Sequence, residues 1–147
     1  MVGPLDPEKG DGLTASDLED ITRSTGVVFA GERRDMDLVY SAFDVFVLAS
    51  HREGFPRSAM EAAAMGCPVV ASDIRGCRQV VDHGVTGLLF AVRDADALAD
   101  AVAEVVDDPA RREAMSAAAT QKAAAEFDQQ RVIDLTLQAY DEIQRGR

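Results

Sequence analysis

Four short runs of consecutive apolar residues punctuate this chain: Val27-Val28-Phe29, Val45-Phe46-Val47-Leu48, Val69-Val70-Ala71 and Leu88-Leu89-Phe90. A strand that is apolar at successive positions, rather than at alternate ones, buries side chains on both faces of its sheet. Helical patterns follow each run: Met36 to Phe43, Pro56 to Met65, about Arg75 to Val81, and then a long helical region. Strand and helix in alternation specify an α/β fold, a Rossmann-like parallel sheet with right-handed crossovers.

The last third is wholly helical. Ala97, Leu98, Ala101, Val102, Val105 and Val106 recur at helical spacing. Pro109 suits the first turn of a second helix, and the Ala-rich stretch from Ala114 to Ala125 continues it. Asp128 is placed to cap a third, with Val132, Ile133, Leu137, Tyr140 and Ile143 along one face. This helical tail covers about residues 94–146 of a single domain spanning 1–147.

Charge narrows the ligands. The net charge of −11 is uneven, with most of the acidity in residues 1–27 and 91–147. The middle holds Arg33, Arg34, Arg52, Arg57, Arg75 and Arg78. No basic stripe exists to neutralise a phosphate backbone, so nucleic acid is not an expected partner. A small anion at a locally basic loop is compatible with the same composition. No apolar run is long enough to span a membrane, and no signal peptide is evident. Cys67 and Cys77 have neither metal-ligand spacing nor a disulfide framework, and read as reduced thiols in a cytoplasmic protein, Cys67 as a buried small apolar residue.

The chemistry concentrates in HREGFPRSAMEAAAMG, residues 51–66. Pro56 fits the first helical position and Gly66 the position just past the end. This helix follows the strand at Val45–Leu48, so its start lies at the carboxyl edge of the sheet, where open α/β sheets bind ligands. Free amides near Arg57, Ser58 and Ala59 suit an incoming anion, and the helix dipole favours it. Gly54 lets a ligand approach the backbone closely. Glu53 and Glu61 repel phosphate but suit hydroxyls, because one carboxylate accepts two O–H donors from a vicinal diol. Glu61 sits about 7 Å along the axis from the helix start. A diphosphate at the helix tip flanked by a sugar and a ribose has that layout. The bland alternative is a surface pair, since Arg57 and Glu61 are four residues apart on a helix. Arg75 reads as a solvated loop arginine or as a diphosphate contact, and His51 and His83 as loop histidines without evident partners.

The segment EGFPRSAME resembles the E-x7-E motif of retaining glycosyltransferases of the GT-B fold, family 4, the glycosyl transferases group 1 domain. FAGERRDMDLVYSAFDVFVLAS is similar to that family's strand, base-binding loop, helix and following strand. GCPVVASDIRGCRQVVDHGVTGLLF and RDADALADAVAEVVDDPARREAM are similar to its last strand and C-terminal helices. The resemblance covers about residues 26–143. It implies that Glu53, the catalytic residue, contacts hydroxyls of the transferred sugar, and that Glu61 holds the ribose. Amides of Gly54, Phe55, Ser58 and Ala59 would hold the sugar and diphosphate, with Arg57 beside them. The loop from Gly31 through Arg33 to Met36 would frame the base. The implied reaction moves a hexose from a nucleotide-diphosphate sugar to a hydroxyl acceptor with retention, without metal or other cofactor and without a protein base. The sequence departs from the family at Gln79, where Glu is usual, and at Cys77 and Arg78, where small residues or Pro are common.

Met1-Val2-Gly3 reads as the end of a strand. VGPLDPEKG echoes the family's first strand and phosphate loop, but Pro4 replaces the usual arginine and only Lys9 matches. The better alignment is with the second strand, followed by a helix near Ser16 to Ser24. The chain is then expected to be an incomplete C-terminal GT-B domain, lacking the central first strand and the N-terminal acceptor domain. Ile133, Leu137 and Tyr140 would be exposed, and the fragment would be inactive alone. A membrane surface is a partner only through the parent protein. Two other readings stay open at this point: a non-catalytic nucleotide-sugar-binding module that needs a partner chain, and a sugar-nucleotide epimerase on the same architecture. The absence of G-x-G-x-x-G after any strand disfavours a dinucleotide oxidoreductase.

Overall fold

The computed structural model describes residues 1–3 and 12–146; Pro4 and Lys9 lie outside them. The chain divides into two compact units, Met1–Met36 and Asp37–Arg147.

In the first unit, α1 (Ala15–Thr25) starts at a capping box. The Thr14 hydroxyl accepts from the Asp17 amide, and the Asp17 carboxylate accepts from the Thr14 amide and hydroxyl. The helix ends at Gly26 in the left-handed conformation. The strand expected at Val27–Phe29 does not form. Neighbouring backbone runs beside Met1–Gly3 instead, with the Ala30 amide donating to the Met1 carbonyl and the Gly3 amide to the Gly31 carbonyl, both at 2.9 Å. The Met1 ammonium also donates to the Val28 carbonyl, at 2.6 Å, but no strand results, and Val28 is exposed rather than buried.

The second unit carries three parallel strands in the order β1-β2-β3: β1 (Phe46–Leu48), β2 (Val69–Ser72) and β3 (Gly87–Phe90). Val47 lies opposite Val70 across the first pair, and Val70 opposite Leu88 across the second. α2 (Met36–Ser41) precedes β1, α3 (Arg57–Ala64) joins β1 to β2, and α4 (Arg75–Val80) joins β2 to β3. Then come α5 (Ala95–Val106), α6 (Pro109–Glu126) and α7 (Gln129–Arg145). Asp94, Asp108 and Asp128 cap these three, each accepting an amide of its own first turn.

β2 is buried at every residue, as a continuous apolar run requires. Val70, Leu88 and Phe90 pack on one face of the sheet with Ala101, Val105 and Met115, and Val69 and Ala71 point to the opposite face. Small residues let α3 and α6 approach closely, with Ala59, Ala62 and Ala63 buried on one and Ala119 and Ala123 on the other. β1 corrects the expectation of burial on both faces. Among the described residues it pairs only with β2, and Val47 is exposed. α7 has no buried residue, so Ile133, Leu137 and Tyr140 are indeed exposed. No helix among the described residues is long and apolar enough to cross a membrane.

Candidate functional site

β1 ends at Leu48, and the loop that follows carries Glu53, Gly54 and Phe55 to the start of α3. Pro56 is the cap residue of α3 rather than its first helical residue, one position from expectation. Gly66, with φ 76°, lies just past the helix end as predicted. Pro56 offers no side-chain cap. The first amide bonded within the helix is that of Met60, to the Pro56 carbonyl. Helix geometry therefore leaves the amides of Arg57, Ser58 and Ala59 pointing out of the first turn, a partial positive charge aimed along the axis.

Both carboxylates accept hydrogen bonds from hydroxyls that the sequence had not singled out. Ser50 Oγ donates to Glu53 Oε1 at 2.7 Å. Tyr40 Oη donates to Glu61 Oε2 at 3.2 Å. Ser50 was legible in principle, three residues before Glu53 in a loop where such local bonds are common. Tyr40 stands on α2, 21 residues from Glu61, and no local pattern could have found it. The anticipated Arg57–Glu61 pair also exists, at 3.8 Å with the Arg57 side chain exposed, and contributes little.

α4 closes the site from a second side. A Cβ on Gly76 would lie 2.5 Å from the Glu53 carbonyl oxygen and 2.8 Å from that of Gly54. Only glycine allows this contact, so Gly76 helps to set the path of the Glu53 loop. Cys77, next to it, is fully buried. Burial first, then the charges of Glu53 and Asp73, hold its thiol above the usual range. It stays a neutral thiol and is no nucleophile. Arg78 is committed to Asp73, Nε donating at 2.6 Å, whereas Arg75 makes no ion pair with a described residue. His83 has a partner after all: its Nδ1 accepts from the Leu89 amide at 2.9 Å, a structural bond that ties the loop to β3.

Glu53, Gly54, Phe55, Arg57, Ser58, Ala59 and Glu61 thus lie along one continuous segment at the carboxyl edge of the sheet. The Phe55 ring packs edge-on against Phe127 with centroids 5.8 Å apart. Gly31, Arg33 and Met36 belong to the first unit. There Arg33 is paired with Asp35, Nε donating at 2.7 Å. A groove of about 820 Å³ runs between α3, the end of α6 and the start of α7. It includes Glu61 of the carboxylate pair, together with Arg57, but not Glu53.

Comparison with known proteins bears on this arrangement. The family model described as "Glycosyl transferases group 1" matches residues 14–122. The chain is 39% identical over 126 residues to the glycogen synthase of Mycobacterium tuberculosis, covering 86% of this chain and 30% of that protein. It is 44% identical over 85 residues to the D-inositol 3-phosphate glycosyltransferase of Thermobispora bispora, covering 58% of this chain and 20% of that protein. Among solved structures, sucrose-phosphate synthase from Thermosynechococcus elongatus superposes with a TM-score of 0.85 at 31% identity, over 99% of this chain and 38% of that one. Anabaena HepE in complex with UDP and glucose superposes with a TM-score of 0.82 at 27% identity, over 98% of this chain and 39% of that one.

Proposed function

The chain belongs to the glycosyl transferases group 1 family, and on that premise we propose that it supplies the donor-binding part of a retaining, family-4 hexosyltransferase. The observation that carries the reading is the pair of carboxylates, Glu53 and Glu61, on either side of the uncapped start of α3. Amides of Ser58 and Ala59 with the helix dipole suit a diphosphate. Glu61 suits the ribose diol and Glu53 the hydroxyls of the transferred sugar. Gly54 and Phe55 contribute backbone. The bound UDP in the HepE complex supports a nucleotide-sugar donor.

In the proposed reaction the bond between the anomeric carbon and the diphosphate oxygen breaks. A bond to the acceptor oxygen forms on the same face. The acceptor proton passes to an oxygen of the leaving phosphate, so no side chain acts as base. The α3 amides, with the side chain of Arg57 on the first residue of that helix, would stabilise the charge that develops on the diphosphate. This chemistry requires no metal in the proposal. The chain spans about a third of the length of the relatives it matches. The acceptor-binding part is therefore proposed to lie outside it, with turnover by this chain alone absent, and the cytoplasmic setting belongs to the same proposal. The exposed apolar face of α7 favours a second reading, a binding module completed by a partner chain.

Calorimetric titration with UDP-, GDP- and ADP-glucose tests the donor site. One of the three is expected to bind saturably, and Glu61→Ala to weaken it by ~1–3 kcal/mol, the loss expected for hydrogen bonds to a charged group. No binding by a chain that unfolds cooperatively, or equal binding by the variant, would overturn the reading.

A further inference from the structure

We propose that Tyr40 is a positioning residue for the donor site: its hydroxyl, held on a buried ring, orients the carboxylate of Glu61 toward the ligand. The inference rests on Glu61 being the ribose contact proposed above. Two groups reach this carboxylate. Arg57 Nη2 stands 3.8 Å from Oε1, on a side chain that is 88% exposed. Such a pair is screened by water and costs side-chain entropy to hold, so it cannot set a geometry. Tyr40 is the opposite case. The residue is 3% exposed. Its ring meets Phe46 edge-on at 5.8 Å and Phe43 edge-on at 6.4 Å. Two aromatic contacts from the strand and its approach leave the phenol oxygen one position, and that position is 3.2 Å from Glu61 Oε2.

The bond is longer than the usual O–H···O separation of about 2.7–2.8 Å. Its worth therefore lies in direction more than in strength. One oxygen of Glu61 has a fixed partner behind it, and its remaining acceptor sites are left for hydroxyls in front. Burial first, then the charge and hydrogen bond of Glu61, push the Tyr40 phenol up to about 12. It remains a donor at any ordinary assay pH. Nothing in core packing alone asks for tyrosine here, since phenylalanine would fill the same aromatic cluster without placing a hydroxyl against a carboxylate.

Tyr40→Phe removes the hydroxyl and keeps the ring. Glu61 is half-exposed, so water replaces the lost donor and the melting temperature is expected to move by no more than about 3 °C. The test is a titration with UDP and with 2′,3′-dideoxy-UDP, on the unaltered chain, Tyr40→Phe, Glu61→Ala and the double variant, with GDP and ADP pairs used where the uridine nucleotides do not bind. Tyr40→Phe is expected to weaken UDP about three- to tenfold. It should leave the dideoxy analogue unaffected and add less than about twofold in the Glu61→Ala background. A merely structural tyrosine would weaken both nucleotides alike, which overturns the proposal. Equal UDP binding by Tyr40→Phe, with Glu61→Ala still impaired, overturns it while leaving the donor site intact. If the unaltered chain binds none of the three nucleotides, the donor-site reading fails and the role of Tyr40 fails with it.

Discussion

Gly76 is the residue whose identity is most tightly dictated by its surroundings near the site. A methyl group there would sit 2.5 Å from the Glu53 carbonyl oxygen, a backbone atom that cannot swing away. Gly76→Ala is therefore expected to push the Glu53 loop off its path and to cost about 1–3 kcal/mol, the usual range for overpacking. Gly54, two residues before Pro56, has open space where its Cβ would go. Gly54→Ala is expected to lower stability by less than ~0.5 kcal/mol. Urea denaturation of both variants checks the contrast, and equal losses would show that the α4 contact does not constrain the loop. Glu53 and Glu61 stand out in the sequence because their meaning is local: a Gly-Phe-Pro turn, a helix start and one helical spacing. Tyr40 and Gly76 do not stand out there, because the groups they serve lie on other elements, whereas Ser50 serves a carboxylate three residues on in its own loop.

The helices divide sharply by how their apolar faces are used. α6 buries Met115, Ala119 and Ala123 at successive intervals of four, against α3 and α5. α7 has an apolar face of similar regularity and buries none of it. Met115→Ala is expected to destabilise by about 2–5 kcal/mol, through lost transfer energy and the cavity left behind. Leu137→Ala, on the exposed face of α7, is expected to change stability by less than ~0.5 kcal/mol. Thermal or urea unfolding separates the two, and a comparable loss at Leu137 would mean that α7 packs against something in solution. Helix positions were readable from spacing and caps. Whether a helix face meets a partner was not, since amphipathic periodicity looks the same whether or not the apolar stripe is covered.

For the molecule as a whole, Cys67 and Tyr40, with Cys77 in the same sense, are buried acids whose protons the fold retains on the alkaline side. Burial first, then the charge of Asp44, raises the Cys67 thiol to about 11. Tyr40 is raised to about 12 for the reasons given above. In both, the folded chain holds its proton more tightly than the unfolded chain does. Their stabilising contribution is thus complete below the unfolded values of 9.0 and 10.0 and is lost as pH rises through the folded ones. Melting temperature is expected to fall between pH 9 and 11, and Cys67→Ala to flatten part of that fall. A profile identical in the variant would remove the thiol from the explanation. At this scale the division between chain and fold is clear. Runs of apolar residues, helical spacing, caps and the Glu53–Glu61 segment are properties of neighbours along the chain, and they specified a parallel α/β sheet and the edge at which the donor site is proposed. Pairing is a property of distant segments. Val27–Phe29 is as apolar as a strand and is not one, because an apolar run does not by itself supply a pairing partner. Val47 is exposed because β1 pairs on one side alone among the described residues. The hydroxyl behind Glu61 comes from a helix 21 residues away, a distance across which no local pattern acts and only folding makes a contact.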